Sequence, residues 1–342
     1  MSTTTIVAQH IRRTSLARRH PAVLMGSLGV LAVVLSFYGL TVGATEVSLG
    51  DALRGLVGDT STQASRIVVD FQLPRVLLCW LVGTALAISG AVMQGVIRNP
   101  LAAPDIIGVT KGSGFAGMLL LLAIPGLPVL AVVPAAFIGG LLAAVLVYLL
   151  AYRRGATPVR IALVGIAVSA AFEAGIRFLL VRNPLDVSAA LIWLTGSLFG
   201  RSMTSVLEIL PWVLVLVPLI IVWSRKLDVL GLGDDLAAGL GEPVEKTRRT
   251  LLFFAVALAA AAVAVSGTIG FVGLIAPHMA RRVFGGKHLA SVPAAALFGV
   301  LLMLIADMLG RGLAPPLEIP AGLVTAVVGG PYFLYLLVKT GK

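Results

Sequence analysis

VLLCWLVGTALAISGAVMQGV, residues 76–96, runs for 21 positions without a charged side chain. As an α-helix it would be about 30 Å long, the thickness of the hydrocarbon core of a bilayer. The chain repeats the pattern. Further apolar segments lie near 22–43, 106–124, 129–151, 161–181, 206–224, 250–266, 268–280, 289–306 and 317–338. Together they predict an all-α polytopic membrane protein of about ten transmembrane helices. Two segments are weaker: 106–124 contains Lys111, and 268–280 is only 13 residues long. Without them the count falls to eight. Residues 188–200 are apolar but too short to span.

The 342 residues are 58% hydrophobic and 12% charged, more apolar surface than a soluble domain can hide. Disordered, coiled-coil and disulfide-rich secreted classes are excluded by the same figures. Cys79 is the only cysteine, so no intrachain disulfide and no thiolate metal cluster can form. The net charge of +11 is read as topology and not as nucleic-acid binding, because cations collect on the cytoplasmic side of membrane proteins. Arg12, Arg13, Arg18 and Arg19 precede the first apolar run, which is too long for a signal peptide and is read as an uncleaved span. With both termini inside, segments 1–20, 97–111, 152–160, 225–249, 281–288 and 339–342 face the cytoplasm and hold 19 of the 26 Lys and Arg. The expected organisation is a cytoplasmic N-terminal segment, 1–20, then one transmembrane domain, 21–340, with a cytoplasmic loop at 225–249.

Small residues recur inside the spans, among them Gly83, Ala87, Gly90, Gly139, Gly140 and Gly273, as close helix packing in lipid requires. Ser89-Gly90 precedes Pro100 by the spacing at which Ser266-Gly267 precedes Pro277, a faint echo of repeated halves. There is no GxxxxGK[ST], HExxH or GxSxG, and His10, His20, His278 and His288 are scattered, so neither an ATPase nor another enzyme is expected. Charges inside the spans are few. Glu173 and Arg177 share a helical face four residues apart, as do Asp307 and Arg311 near the outer end of their span. A deep Glu173 keeps a proton-coupled secondary carrier as the alternative function.

QGVIRNPLAAPDIIGV, residues 94–109, reads as a tight cytoplasmic turn, and Pro277 as a kink in GFVGLIAPHMARR, 270–282. RKLDVLGLGDDLAAGLGEPVEKTRR, 225–249, carries five acidic and five basic groups. Leu232, Leu236 and Leu240 recur every fourth residue, Asp234 and Asp235 lie opposite, and Gly231, Gly233, Gly239 and Gly241 flank a short helix. Its acidic face would be repelled by anionic lipid, so a groove on a protein partner suits it better.

Three stretches carry a family resemblance: 73–114 (LPRVLLCWLVG…VTKGSG), 267–286 (GTIGFVGLIAPHMARRVFGG), and the end of the chain, with IADMLGR at 305–311 and EIPAGLVTAVVGGPYFLYLL at 318–337. The sequence is similar to FecCD-type permeases over roughly residues 20–340. These are membrane subunits of binding-protein-dependent ABC importers for ferric siderophores, haem and cobalamin. The resemblance implies a type II ABC importer permease fold, a second permease subunit of the same or a homologous chain, a cytoplasmic ATPase dimer carrying ATP and Mg²⁺, and an extracytoplasmic substrate-binding protein. It implies the bacterial cytoplasmic membrane as location and no cofactor or metal bound by this chain. Leu232, Asp234, Asp235, Leu236, Gly239, Leu240 and Gly241 fall where the family couples to its ATPase. Arg75 and Arg311 match docking positions for the binding protein, while Gln72 stands where the family has a further Arg. Glu173, Arg177, Trp193 and Ser197 are expected along the translocation pathway. ALIWLTGSLFGR, 190–201, looks more like ferric-siderophore than cobalamin permeases; haem or cobalamin remains the alternative cargo.

Overall fold

The computed structural model describes residues 20–43, 47–124, 131–152, 157–184, 187–313, 315 and 317–340. Most of the N-terminal segment expected to be cytoplasmic lies outside them. Helices occupy all ten apolar segments, and the described residues contain no strand. We number them α1 (Pro21–Gly39), α2 (Leu49–Leu56), α3 (Gln63–Ile67), α4 (Leu73–Ile97), α5 (Val109–Ala123), α6 (Val132–Ala151), α7 (Pro158–Arg182), α8 (Val187–Thr195), α9 (Met203–Gly231), α10 (Asp234–Gly239), α11 (Val244–Ser266), α12 (Val272–Phe284), α13 (His288–Gly312) and α14 (Ala321–Thr340). Seven of the helices are long and apolar enough to cross a membrane, α5 and α14 are shorter apolar helices, and α12 has 13 residues. A short π-helical turn joins α3 to α4.

Helix α4 is the centre of the bundle and packs against α9, α11, α12 and α13. Of its most apolar window 78% is buried inside the chain, the same as for α11, whereas α1 has 11% and α7 17%. Helices α1 and α7 therefore present most of their apolar surface to something other than this chain.

Missing side chains bring α4 this close to its neighbours. A Cβ added to Gly90 would sit 1.8 Å from the Gly273 carbonyl oxygen on α12, and one added to Gly83 would sit 2.6 Å from that of Gly299 on α13. Hydrocarbon gives no hydrophobic push between helices, so such backbone contact supplies the packing attraction. Pro277 has no N–H for the Gly273 carbonyl four residues earlier. The Gln94 side-chain amide approaches that oxygen at 3.5 Å and the Leu274 oxygen at 3.3 Å, offering the freed acceptor a donor. The Gln94 carbonyl in turn accepts from Arg281.

The α4–α5 connection differs from the surface turn expected at 94–109. Arg98 ends α4 in the left-handed region (φ 55°), and a 3₁₀ turn at Pro104–Ile107 then packs beside the middle of α7. The Ser169 hydroxyl donates to the Asp105 carbonyl at 3.2 Å, and Gly165 faces the Ile106 carbonyl so closely that a Cβ would lie 1.8 Å from it. Non-helical backbone at this depth must satisfy its own polar groups. Here Ala102, Ile106 and Gly108 donate their amides to Asn99, Ala103 and Asp105. Lys111, counted from sequence with the inner loop, is thereby carried into the membrane region.

The second non-helical piece is residues 196–202, which follow the short α8. Ser197 donates its amide to the Ser266 carbonyl at 2.8 Å, and Gly322 donates to Gly196 at 2.9 Å, which ties α8, the end of α11 and the start of α14 together. The sequence echo does not mark equivalent positions: Gly90 makes a helix crossing, whereas Gly267 ends α11 at φ 73°.

Gly90→Ala is expected to lower thermal stability by about 1–3 kcal/mol through overpacking against α12. Gly29→Ala meets nothing within 4 Å and is expected to leave the melt in detergent unchanged. Equal melting temperatures for the two variants would contradict the packing role given to Gly90.

Candidate functional site

Residues 225–249 form a clamped platform at one end of the bundle. Helix α9 runs on to Gly231, the chain turns through Gly233 at φ 106°, and α10 follows. Its end is a Schellman turn: Gly241, at φ 83°, donates to the Ala238 carbonyl at 2.9 Å, and Glu242 donates to that of Ala237 at 3.0 Å. Pro243 then precedes α11. Glycine is needed at 233 and 241 because other residues are strained at these dihedrals.

Ion pairs hold both ends. Asp234 Oδ1 accepts from Arg98 Nη2 at 3.0 Å, beyond the end of α4, and from Arg248 Nη2 at 2.7 Å, on α11. Arg248 also faces Glu245 at 3.5 Å. Glu242 Oε1 accepts from the Thr247 hydroxyl and from Lys226 Nζ at 3.1 Å. The Thr247 hydrogen bond, with Lys226 behind it, holds the Glu242 carboxyl below the usual carboxylate range.

The same fixing leaves one row of α10 outward. Ala237 is buried, but Leu232, Leu236 and Leu240 are 55%, 63% and 68% exposed, and Asp235 and Gly239 are exposed beside them. The expected opposition of leucines and aspartates is therefore split. Asp235 is open to solvent, and Asp234 is half-buried and engaged by two arginines.

A second cluster lies on the exposed side of α7. Glu173 on α7 pairs with Arg177 at 3.2 Å, as the four-residue spacing predicts, and also with Lys111 of α5 at 2.6 Å. All three side chains remain at least one-third exposed in the chain by itself. Charges at this depth do not face hydrocarbon, so this side of α7 borders protein or water. The sequence already showed Lys111 as a misplaced cation. An intramembrane lysine calls for an acidic partner, and Glu173 is the one that the fold supplies.

Trp193 departs from its expected pathway position. It is 8% exposed and packs with Met118, Val132, Ala136 and Val263, because the tie to Ser266 turns α8 inward. Ser197 is half-buried in the same junction, its hydroxyl accepting from the Phe199 amide.

The third cluster holds Arg75 and Arg311, both buried in the chain by itself. Arg75 pairs with Asp307 and with Glu318, both at 2.7 Å, and its side chain is 9% exposed. Arg311 pairs with Asp307 at 3.0 Å and donates to the carbonyls of Val42 at 2.6 Å and Gly39 at 3.0 Å. Asp307, expected within a turn or two of water, is 1% exposed. A carboxylate buried this deeply needs both cations. The network thereby ties the ends of α1, α4 and α13 to the segment before α14. Gln72 is buried as well.

The sequence profile described as the FecCD transport family matches residues 31–339. The chain is 47% identical over 328 residues to the Fe(3+)-citrate import system permease protein YfmE of Bacillus subtilis (strain 168), covering 96% of this chain and 98% of the relative. It is 43% identical over 273 residues to the Fe(3+) dicitrate transport system permease protein FecD of Escherichia coli (strain K12), covering 80% and 85%. Its fold superposes on a metal-chelate type ABC transporter solved in an inward-facing conformation with a TM-score of 0.81 at 30% identity, covering 92% of this chain and 98% of that one.

Arg75→Gln is expected to destabilise the protein by about 3–5 kcal/mol, because it strips a buried carboxylate of a partner. Arg54→Gln, at a side chain 60% exposed, is expected to change stability by about 0.5 kcal/mol or less. Thermal melts of both variants in detergent check the contrast; a melt unchanged in Arg75→Gln would refute the structural role.

Proposed function

Because the chain belongs to the FecCD transport family, we propose that it is the membrane-spanning subunit of an ATP-driven importer that carries an iron(III) chelate of the siderophore or citrate class into the cytoplasm. The observation that carries this reading is the platform at 225–249. Three exposed leucines, Leu236 on a six-residue helix with Leu232 and Leu240 flanking it, stand on a segment held at both ends by ion pairs. An apolar row presented this way has the shape of a helix meant for a partner's groove. That partner is a separate cytoplasmic ATPase dimer, which binds ATP and Mg²⁺. The platform is its coupling contact, with Leu232, Leu236 and Leu240 as anchors and Asp235, Gly239 and Gly241 beside them. Asp234 acts from behind the contact by fixing α10 to α4 and α11.

The cargo assignment rests on relatives whose names specify Fe(3+)-citrate import. A second permease copy or sister subunit covers the exposed side of α7, and Glu173, Arg177 and Lys111 border the pathway between the two. Both termini and the platform lie on the cytoplasmic side of a bacterial inner membrane, where the basic segments collect. An extracytoplasmic binding protein delivers the chelate. Docking through Arg75 and Arg311 would mean opening the buried Asp307 pairs, whereas Arg54 and Arg66 near the same end of α4 are already exposed. Glu173 has two cationic partners, so it is a poor candidate for the lone carboxylate of a proton-driven carrier.

Two substitutions test the platform in reconstituted vesicles fed labelled ferric citrate with its binding protein. Leu236→Glu is expected to abolish uptake and co-purification of the ATPase. Asp234→Asn is expected to retain the ATPase but lower the iron imported per ATP hydrolysed several-fold. Normal uptake in Leu236→Glu, with Glu173→Gln silent only when a proton gradient is absent, would favour the gradient-driven reading.

A further inference from the structure

A slot of about 300 Å³ opens between α6, α7 and α11, at the end of the bundle that carries the platform. Its walls are almost wholly carbon: Leu141, Ala144 and Val145 of α6, Ile161 of α7, and Phe253 and Val256 of α11. Arg249 lines its mouth and is exposed, and it has no ion pair or hydrogen bond with any other described residue. The acid nearest in sequence on α11, Glu245, accepts from the hydroxyl of Tyr148, itself a wall residue of the slot, and pairs with Arg248, which offsets its charge. Lys246 is exposed one turn away. Tyr152, 52% exposed, stands at the same level, as aromatic side chains do at a membrane interface.

We propose that this slot binds one anionic glycerophospholipid of the inner leaflet, with an acyl chain against Leu141, Val145 and Phe253 and the headgroup phosphate on Arg249. An apolar slot open to the bilayer takes up hydrocarbon. An unpaired guanidinium at its rim adds a preference for a phosphate whose charge no ammonium group cancels. Arg249 is adjacent in sequence to Arg248, which holds Asp234 of the platform. The lipid would therefore brace the second turn of α11, beside the residue that anchors α10. The inference relies on the platform end being cytoplasmic but not on the identity of the cargo.

Native mass spectrometry of the purified importer, titrated with phosphatidylglycerol and separately with phosphatidylcholine, tests the site. The expected result is retained phosphatidylglycerol, with little phosphatidylcholine. Arg249→Gln should weaken retention about fivefold, the effect of one cation near an anionic surface. Ala144→Phe fills the slot and should abolish retention with Arg249 intact. Equal retention of both lipids, or retention unchanged in both variants, would overturn the site. So would disulfide formation between copies of Phe253→Cys, which would make the slot a protein–protein contact. Loss of ferric-chelate uptake in the wild-type importer would count against the cargo alone, because lipid retention is read by mass.

Discussion

Backbone contact along α4 is the constraint on which the other features depend. In hydrocarbon, apolar side chains gain little by leaving lipid for protein, so helices stay together where their main chains can touch. Gly83 and Gly90 allow α13 and α12 to lie directly on α4. Once α12 is that near, Gln94 reaches the carbonyls around Pro277, and its own carbonyl reaches Arg281. Once α13 is that near, Asp307 falls between Arg75 and Arg311. The polar contacts of the interior thus follow from where side chains are missing.

Much of this was legible in the sequence, and for a physical reason. Span length is set by bilayer thickness and reports itself as an apolar run, so helices appear at all ten expected places. The platform was legible through its fourfold leucine spacing and flanking glycines. Pairings that join distant parts of the chain were not. Glu173 with Arg177 is a local spacing, whereas Lys111 with Glu173, Arg98 with Asp234 and Arg75 with Glu318 depend on tertiary packing. The re-entry at 104–108 was missed for a related reason. Prolines and Asn99 announce a turn, but only the glycines at 108 and 165 let that turn sink against α7.

The ionic networks divide by environment. Asp307 and its two arginines are shut away from solvent, where loss of one partner is costly and salt cannot reach. This corner ties four segments together and has little freedom. At the other end, Arg98 and Asp234 are 33% and 39% exposed and their pair is cheap to exchange, while the buried Arg248 keeps hold of the same carboxylate. The bundle is firm at one pole and adjustable at the other, as expected of a helix assembly driven from one side.

The single carboxylate oxygen of Asp234 is shared by Arg98 and Arg248, one following α4 and the other on α11. Glycines at 233 and 241 set the turns into and out of α10, and the Asp234 pairs fix its bearing relative to the spans. The Arg98 half of this joint weakens as mobile ions accumulate, because exposed charges are screened over about 8–10 Å at physiological ionic strength, whereas the buried Arg248 half is screened much less. On the coupling role proposed for α10, iron carried per nucleotide would then fall as salt rises on the platform side, and osmotic stress would act on transport through this one joint.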